Sequence, residues 1–309
     1  MKVFVTGATG VMGRSVSSAL HDAGHDVVAL ARSAESERAL AEQGIVGVRA
    51  SLFDRDGLVH AMAGCDAVAN LATHMPVGNS TMRPGAWKSN DRIHAEGSRA
   101  VASAAREAGV ERLIQESVSF VYADQADRWI DEDSPIAVSC ASEPVVLAEA
   151  HAEQFADTRN VADDHRTAVV LRFGTIVGDD AVTRWRLARV RSGHAVGLGK
   201  PRSWTHVVHP DDIGTAVLAA LGAPAGTYNV GAEPVRRADL VAAFAEAVGQ
   251  EEAGFYRRLV LRLGGDRLEW LTRSQRVSST RFRRLAGWEP AHPRFDAGWL
   301  TPMVIADAG

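Results

Sequence analysis

Two cysteines, Cys65 and Cys140, are all the thiol chemistry that a chain of 309 residues carries. Thiols so far apart build neither a disulfide framework nor a cysteine-based metal site, so both are expected as free, buried thiols in a reducing compartment. No apolar run reaches the ~18 residues that span a bilayer, and no signal-like segment precedes the strand that begins at Lys2, so the expected location is cytoplasmic, away from membranes. A net charge of −4 with scattered basic residues gives no electrostatic footprint for nucleic acid. The densest basic set (Arg273, Arg276, Arg281, Arg283, Arg284) is interleaved with apolar and acidic residues and reads as a solvated helix face. Tyrosine and lysine are scarce: Tyr122, Tyr228 and Tyr256, and Lys2, Lys88 and Lys200. No tyrosine is followed by a lysine four residues later. Internal repeats and low-complexity segments are also absent.

What is present is alternation. Hydrophobic residues make up 46% and charged residues 23%, the balance of a globular chain with a sizeable core. Apolar runs at Lys2–Thr6, Asp26–Ala31, Val46–Arg49, Asp66–Leu71, Arg112–Ser117 and Thr167–Phe173 read as strands. Between them lie helical patterns, including Glu35–Gln43, an alanine-rich Asn90–Ala108 stopped by Gly109, and Val145–Thr158. Such alternation implies an α/β protein with a doubly wound, Rossmann-type parallel sheet. Beyond Gly174 the pattern loosens into segments rich in Trp, Arg, Gly and Pro around one helix, Asp239–Val248. The organisation expected is a dinucleotide-binding domain over 1–175, to which 205–230 returns. A smaller substrate-binding lobe is expected from 176–204 and 231–309.

The strongest motif joins the first strand to the first helix: Thr6-Gly7-Ala8-Thr9-Gly10-Val11-Met12-Gly13. Glycines at this spacing permit a tight turn, close approach of backbone to a pyrophosphate and close helix–strand packing. The helix N-terminus then offers N–H groups and a favourable dipole to phosphate. Gly7, Thr9, Gly10, Val11, Met12 and Gly13 are therefore candidate cofactor contacts. An acidic residue at the end of the second strand would hold a ribose 2′-hydroxyl and favour NAD. Here Arg32 and Ser33 stand there instead, a pair suited to a 2′-phosphate, so NADP is expected ahead of NAD. Asp54, after the third strand, is a candidate for the adenine amino group.

These residues resemble the extended short-chain dehydrogenase/reductase family, which includes nucleotide-sugar epimerases and dehydratases. The resemblance is carried by TGATGVMG at 6–13, NLAT at 70–73, GSRAVASAAREAGVERLI at 97–114 and LRFGTIVG at 171–178. It continues through VHPDD at 208–212, YNVG at 228–231 and RRLAGWEP at 283–290, nearly the whole chain. It implies that Leu71, Ala72 and Thr73 also line the cofactor, that a small-molecule substrate binds the C-terminal lobe, and that two helices per subunit form a homodimer. It makes His209-Pro210-Asp211-Asp212 a turn and helix start with Asp as the N-cap. In that family Asn, Ser or Thr, and a Tyr and Lys spaced Y-x-x-x-K carry the chemistry. The Tyr is general acid/base, and the Lys holds the nicotinamide ribose and lowers the Tyr pKa. Matched motif by motif, the Asn position holds His94, the Ser/Thr position Val118, the Tyr position Val145 and the Lys position Glu149.

Alcohol oxidation through that dyad is therefore excluded, and other groups must be considered. His94 can exchange protons near neutral pH or serve the helix structurally. Glu149 can hold ribose hydroxyls, act as a base, or sit on a helix surface. Ser119 can donate to a substrate carbonyl, and Tyr122 either joins the site or packs. His74 reads as a loop histidine. His206 and His209 have metal-like spacing, but on an alternating strand they face opposite sides, so no metal is expected. Trp185, Trp204, Trp270 and Trp288 read as packing residues. The reading is an atypical NADP(H)-binding enzyme acting by reduction, or by epimerisation or rearrangement, on a small carbonyl-bearing or sugar-like metabolite. A non-catalytic redox sensor or assembly subunit that binds NADP(H) is the alternative.

Overall fold

The structure, a computed structural model, describes residues 1–157 and 165–306. The expected helix end at Thr158 and the lobe residues 307–309 lie outside the described residues. The first half runs β1 (Lys2–Thr6), α1 (Val11–Asp22), β2 (Asp26–Ala31), α2 (Ala34–Ala41), β3 (Val46–Arg49), α3 (Arg55–Ala61) and β4 (Ala67–Asn70). Next come α4 (Lys88–Arg92), a π-helical turn at Ile93–Gly97, α5 (Ser98–Glu107), β5 (Arg112–Val118), α6 (Glu143–Phe155) and β6 (Thr167–Phe173). Two-residue strands β7 (Thr175–Ile176), β8 (Trp204–Thr205) and β9 (Val207–Val208) then accompany α7 (Ala181–Arg191) and α8 (Pro210–Ala220). β10 (Gly226–Val230), β11 (Val235–Arg236) and α9 (Arg237–Ala247) follow. The chain closes with α10 (Arg258–Leu263), α11 (Asp266–Thr272), α12 (Thr280–Ala286) and α13 (Thr301–Ala306).

The central sheet has seven strands in the order β10-β6-β5-β4-β1-β2-β3, every neighbouring pair parallel. Strand order reverses between β1 and β4, the switch point at whose carboxyl edge such sheets bind ligands. Each face is buried, because the strands are apolar on both sides. Val3, Val5 and Leu171 pack with α1 and α8, and Phe4, Val68 and Val170 pack with α3, α5 and α6. Met12, Val16 and Leu20 recur at four-residue spacing and give α1 its buried stripe. Segment 205–230 contributes β9, α8, which lies against α1, and the edge strand β10. A separate apolar cluster, built on Leu187, Leu240, Phe244 and Trp299, holds α7, α9 and the C-terminal segment together.

Three expectations are corrected. The helix expected over Asn90–Ala108 is interrupted by the π turn, which sets His94 Nδ1 2.9 Å from Asn90 O. The N-cap of α8 is His209, whose Nδ1 accepts from Asp211 N–H; Asp212 instead accepts from the N–H groups of Ala291 and His292. Cys65 is buried, but Cys140 is exposed, beside Asp266. Among the described residues no helix is long and apolar enough to cross a membrane.

Candidate functional site

The loop after β1 is shaped by contacts that only glycine allows. Gly7 adopts φ +68°, and a Cβ there would stand 2.7 Å from Leu71 O in the loop after β4. A Cβ on Gly13 would stand 2.1 Å from Gly7 O, so helix and loop touch backbone to backbone. Gly10 differs. Its face is exposed, and a Cβ there would meet only Gly7 O, at 3.2 Å. α1 starts at this open face with no side-chain cap and no acidic residue in its first turn. Its first N–H groups, those of Val11, Met12 and Gly13, are left for an anion. Met12 itself is buried in the core, so only its backbone is on offer. The residues fit a dinucleotide pyrophosphate.

Around this cradle, Thr6 Oγ1 donates to Asn70 Oδ1 (2.6 Å) and accepts from the N–H groups of Leu71 (3.1 Å) and Ala72 (3.2 Å). That network ties the β4 loop, including half-buried Thr73, to the β1 loop across the switch point. Thr9 is half-buried, and its carbonyl accepts from Arg14. Arg32 is exposed at the end of β2, with no hydrogen bond or ion pair to any described residue. Ser33 and Asp54 have structural work: Ser33 caps α2 by accepting from Ser36 N–H, and Asp54 caps α3 by accepting from Gly57 N–H. Their other lone pairs remain, but neither side chain is free to reorient.

At the carboxyl edge of β5 stands a buried polar network. Arg172, on β6, pairs in bidentate fashion with Glu149 on α6, Nε to Oε1 at 2.8 Å and Nη2 to Oε2 at 2.6 Å. Ser117 donates to the same carboxylate. Arg172 Nη1 donates to Tyr122 Oη (2.9 Å), which donates to Asn229 Oδ1 (2.8 Å). Burial pushes the Tyr122 phenol up to about 12 despite the guanidinium beside it, so this phenol stays protonated and fully enclosed. Burial disfavours the Arg172 charge, but Glu149 outweighs it and keeps the guanidinium charged. The cation that faces Glu149 on α6 is thus supplied from the strand β6.

His94 is buried too. Its Nε2 lies 3.2 Å from Glu116 Oε2, so both ring nitrogens are engaged. Burial lowers its pKa, but Glu116 more than compensates and the net shift is upward. Ser119 Oγ is buried with no hydrogen-bond partner. His74 is exposed, its N–H held by Asn90 Oδ1.

Val118 and Val145, at the positions where the resemblance expects hydroxyls, pack in one apolar cluster with Phe120, Val121, Trp270 and Leu271. The ring of Trp270 meets that of Phe120 edge to face, 5.7 Å apart. An apolar cluster therefore stands where the resemblance would place a proton donor.

Sequence reasoning passed over Arg172 and Glu116 and read Trp270 as a packing residue. A single charge inside the apolar strand TAVVLRF was a signal, since a buried cation needs a partner. Arg273 corrects the solvated-face reading of the arginine set. It is buried, pairs with Glu269, and donates to the carbonyls of Ala137 (2.9 Å), Tyr122 (3.3 Å) and Phe120 (3.4 Å). It staples the β5 exit to the segment after α11. Arg281 pairs with Glu132 and Asp133. On the lobe side of α11 lies a cavity of about 450 Å³, lined by Asp124, Lys200, Tyr256, Arg262, Glu269 and Thr272 among others. Its size is that of a small-molecule site.

His206 and His209 part company. His209 stacks on His292, ring centroids 3.8 Å apart, near Asp211. His206 is fully buried, its Nδ1 has no partner, and burial lowers its pKa to about 3. Below pH 6.5 the unfolded chain protonates this histidine while the native state does not. Stability from His206 is thus complete above pH 6.5 and is lost as pH falls toward 3. Between pH 7 and 5.5 the wild type should lose ~1.2 kcal/mol more stability than His206→Gln, read from urea midpoints at each pH. Equal losses would show that His206 protonates in the native fold.

Comparisons with known proteins bear on the family and the fold. Residues 3–231 match the family described as NAD dependent epimerase/dehydratase. A 3-diazoavenalumate denitrifying reductase from a Streptomyces species is 31% identical over 96% of this chain and 99% of its own length. UDP-glucose 4-epimerase of Streptomyces lividans is 31% identical over 43% of this chain and 41% of its own. Among solved structures, UDP-glucose 4-epimerase of Thermus thermophilus in complex with NAD gives a TM-score of 0.77 at 21% identity, covering 100% of this chain and 99% of that one. A human epimerase family protein with NADPH gives 0.79 at 22% identity, covering 99% of each. At these identities the structural likeness carries the fold.

Proposed function

The chain belongs to the NAD dependent epimerase/dehydratase family, and from that premise we propose that it is an NADP(H)-dependent reductase whose acceptor takes up hydride without a proton from the protein. The observation that carries this reading is the apolar wall of Val118, Val145, Phe120 and Trp270. Epimerisation at a carbinol needs a group that removes and returns a hydroxyl proton, and the candidates for that role are enclosed. Tyr122 is buried and doubly hydrogen-bonded, and His94 is held by Glu116 and Asn90.

A bound nicotinamide would supply the hydride. The glycine cradle holds the pyrophosphate, and the wall excludes water beside the acceptor carbon. Glu149, paired with Arg172, has a lone pair on Oε2 for a ribose hydroxyl, and Ser119 can donate to an acceptor oxygen. Electron-poor acceptors suit such a site. An enone takes hydride on carbon and a proton later from water. A diazonium group, related to the diazo function in the Streptomyces relative's name, leaves as dinitrogen once hydride has replaced it, so charge and atoms balance with no enzymatic acid. The cavity beyond α11 receives the non-reacting part of the molecule.

The test is NADPH oxidation against a panel of arenediazonium salts, enones and UDP-sugars. Turnover of the first two with kcat level between pH 6 and 9 is expected. UDP-sugar epimerisation, or a bell-shaped profile, would overturn the reading.

Cofactor choice has its own test. The unpartnered Arg32 guanidinium meets a 2′-phosphate, so NADPH should bind at least about tenfold tighter than NADH, a difference of ~1.4 kcal/mol. Arg32→Ala should lose that preference while NADH affinity stays within about twofold. Equal affinities in the wild type would remove the reason for choosing NADP.

A further inference from the structure

We propose that the indole N–H of Trp270 is a substrate-binding donor. It would receive an oxygen acceptor on a planar, conjugated ligand lying against the apolar wall. The inference rests on the reading above, because it takes that wall to be the substrate's seat.

Trp270 is 5% exposed, yet its Nε1 has no hydrogen-bond partner. Buried indole N–H groups normally find one, and an orphan donor is a cost to the fold that calls for an explanation. Ser119 Oγ is a second orphan, in the turn after β5 against which α11 packs. Two buried donors without acceptors thus sit on two elements that pack together, one of them Trp270 of the apolar cluster itself. Indole nitrogen donates and never accepts, so the complementary group is an acceptor such as a carbonyl, carboxylate or phenolate oxygen. The flat edge-to-face pair of Trp270 and Phe120 favours an aromatic or conjugated skeleton beside it.

Trp270→Phe keeps a ring and removes the N–H. Because that N–H has no partner in the free protein, thermal stability should be unchanged or raised, and NADPH affinity unchanged. Binding of cinnamate, a conjugated carboxylate that cannot be turned over as a diazonium is, should weaken five- to tenfold in the NADPH complex. Ser119→Ala should move binding in the same direction. Lower stability with unchanged cinnamate affinity would make the indole a structural element and overturn the proposal. Failure of cinnamate to bind the wild-type NADPH complex would overturn the ligand class. Cinnamate binding without any hydride transfer to the acceptor panel would instead sink the reductase reading and leave the donor assignment standing.

Discussion

Replacing Glu149 with alanine is expected to remove about 3–5 kcal/mol of folding stability, because it leaves the Arg172 guanidinium buried without its counter-charge. Side chains of both partners are 8% exposed, so water cannot substitute for the lost carboxylate. Ser117 loses its acceptor in the same step, and Tyr122 is left facing an uncompensated cation. Glu149→Gln should be milder, since an amide oxygen can still accept from Arg172. A paired change, Glu149→Leu with Arg172→Met, removes both charges and should recover most of the loss. Urea unfolding of these proteins, together with the single variants Glu149→Leu and Arg172→Met, measures the coupling. A Glu149→Ala variant as stable as wild type would mean that water or a shifted partner satisfies Arg172, and the network would lose its structural role. The same arithmetic explains why a lysine cannot simply be restored at 149. It would set a second cation against Arg172 in a site with no carboxylate between them, so Glu149→Lys should fold worse than Glu149→Ala and gain no alcohol dehydrogenase activity.

That network also marks where reading the chain by pattern stops. The cradle was legible because its evidence is local: a strand, three glycines and a helix within thirteen residues, each required by backbone geometry. β6 was legible to the residue, since TAVVLRF is an apolar run of strand length. Its arginine, however, finds partners at positions 149 and 122, and Tyr122 reaches Asn229, separations that no periodicity encodes. Resemblance could say which groups are missing at 118 and 145, but not that Phe120 and Trp270 arrive to close an apolar wall over the gap. Capping likewise hid from the pattern. Ser33 and Asp54 carry the residue types of both a nucleotide contact and an N-cap, and the fold uses them at least as caps. Arg273 looked solvated because its neighbours are polar, but its guanidinium is drawn inward by three carbonyls left open at the β5 exit.

Gly10→Val should abolish cofactor binding, a loss of more than about a hundredfold, while the chain stays folded. The two halves of that expectation come from different sides of one residue. Toward the protein, a Cβ at 10 meets only Gly7 O at 3.2 Å, and the backbone at φ −79° is open to any L residue. The fold therefore gives by a few tenths of an ångström, and losing a glycine N-cap to valine costs about 1 kcal/mol at most. Toward solvent, the valine methyls stand where the first N–H groups of α1 meet an anion, and a phosphate held off by a side chain forfeits those bonds together. Gly13→Ala is the contrast. Its methyl would fall 2.1 Å from Gly7 O and 2.4 Å from Ala8 Cα, both backbone, so α1 cannot dock on β1 and stability and binding should fail together. Circular dichroism separates folded from unfolded, and quenching of tryptophan fluorescence by NADPH reports binding. Folded Gly10→Val that binds NADPH like the wild type would place the pyrophosphate elsewhere and take the cofactor assignment with it. Gly13→Ala that folds and binds normally would show that the loop can retreat from α1, and the close backbone contact would no longer explain why glycine stands at 13.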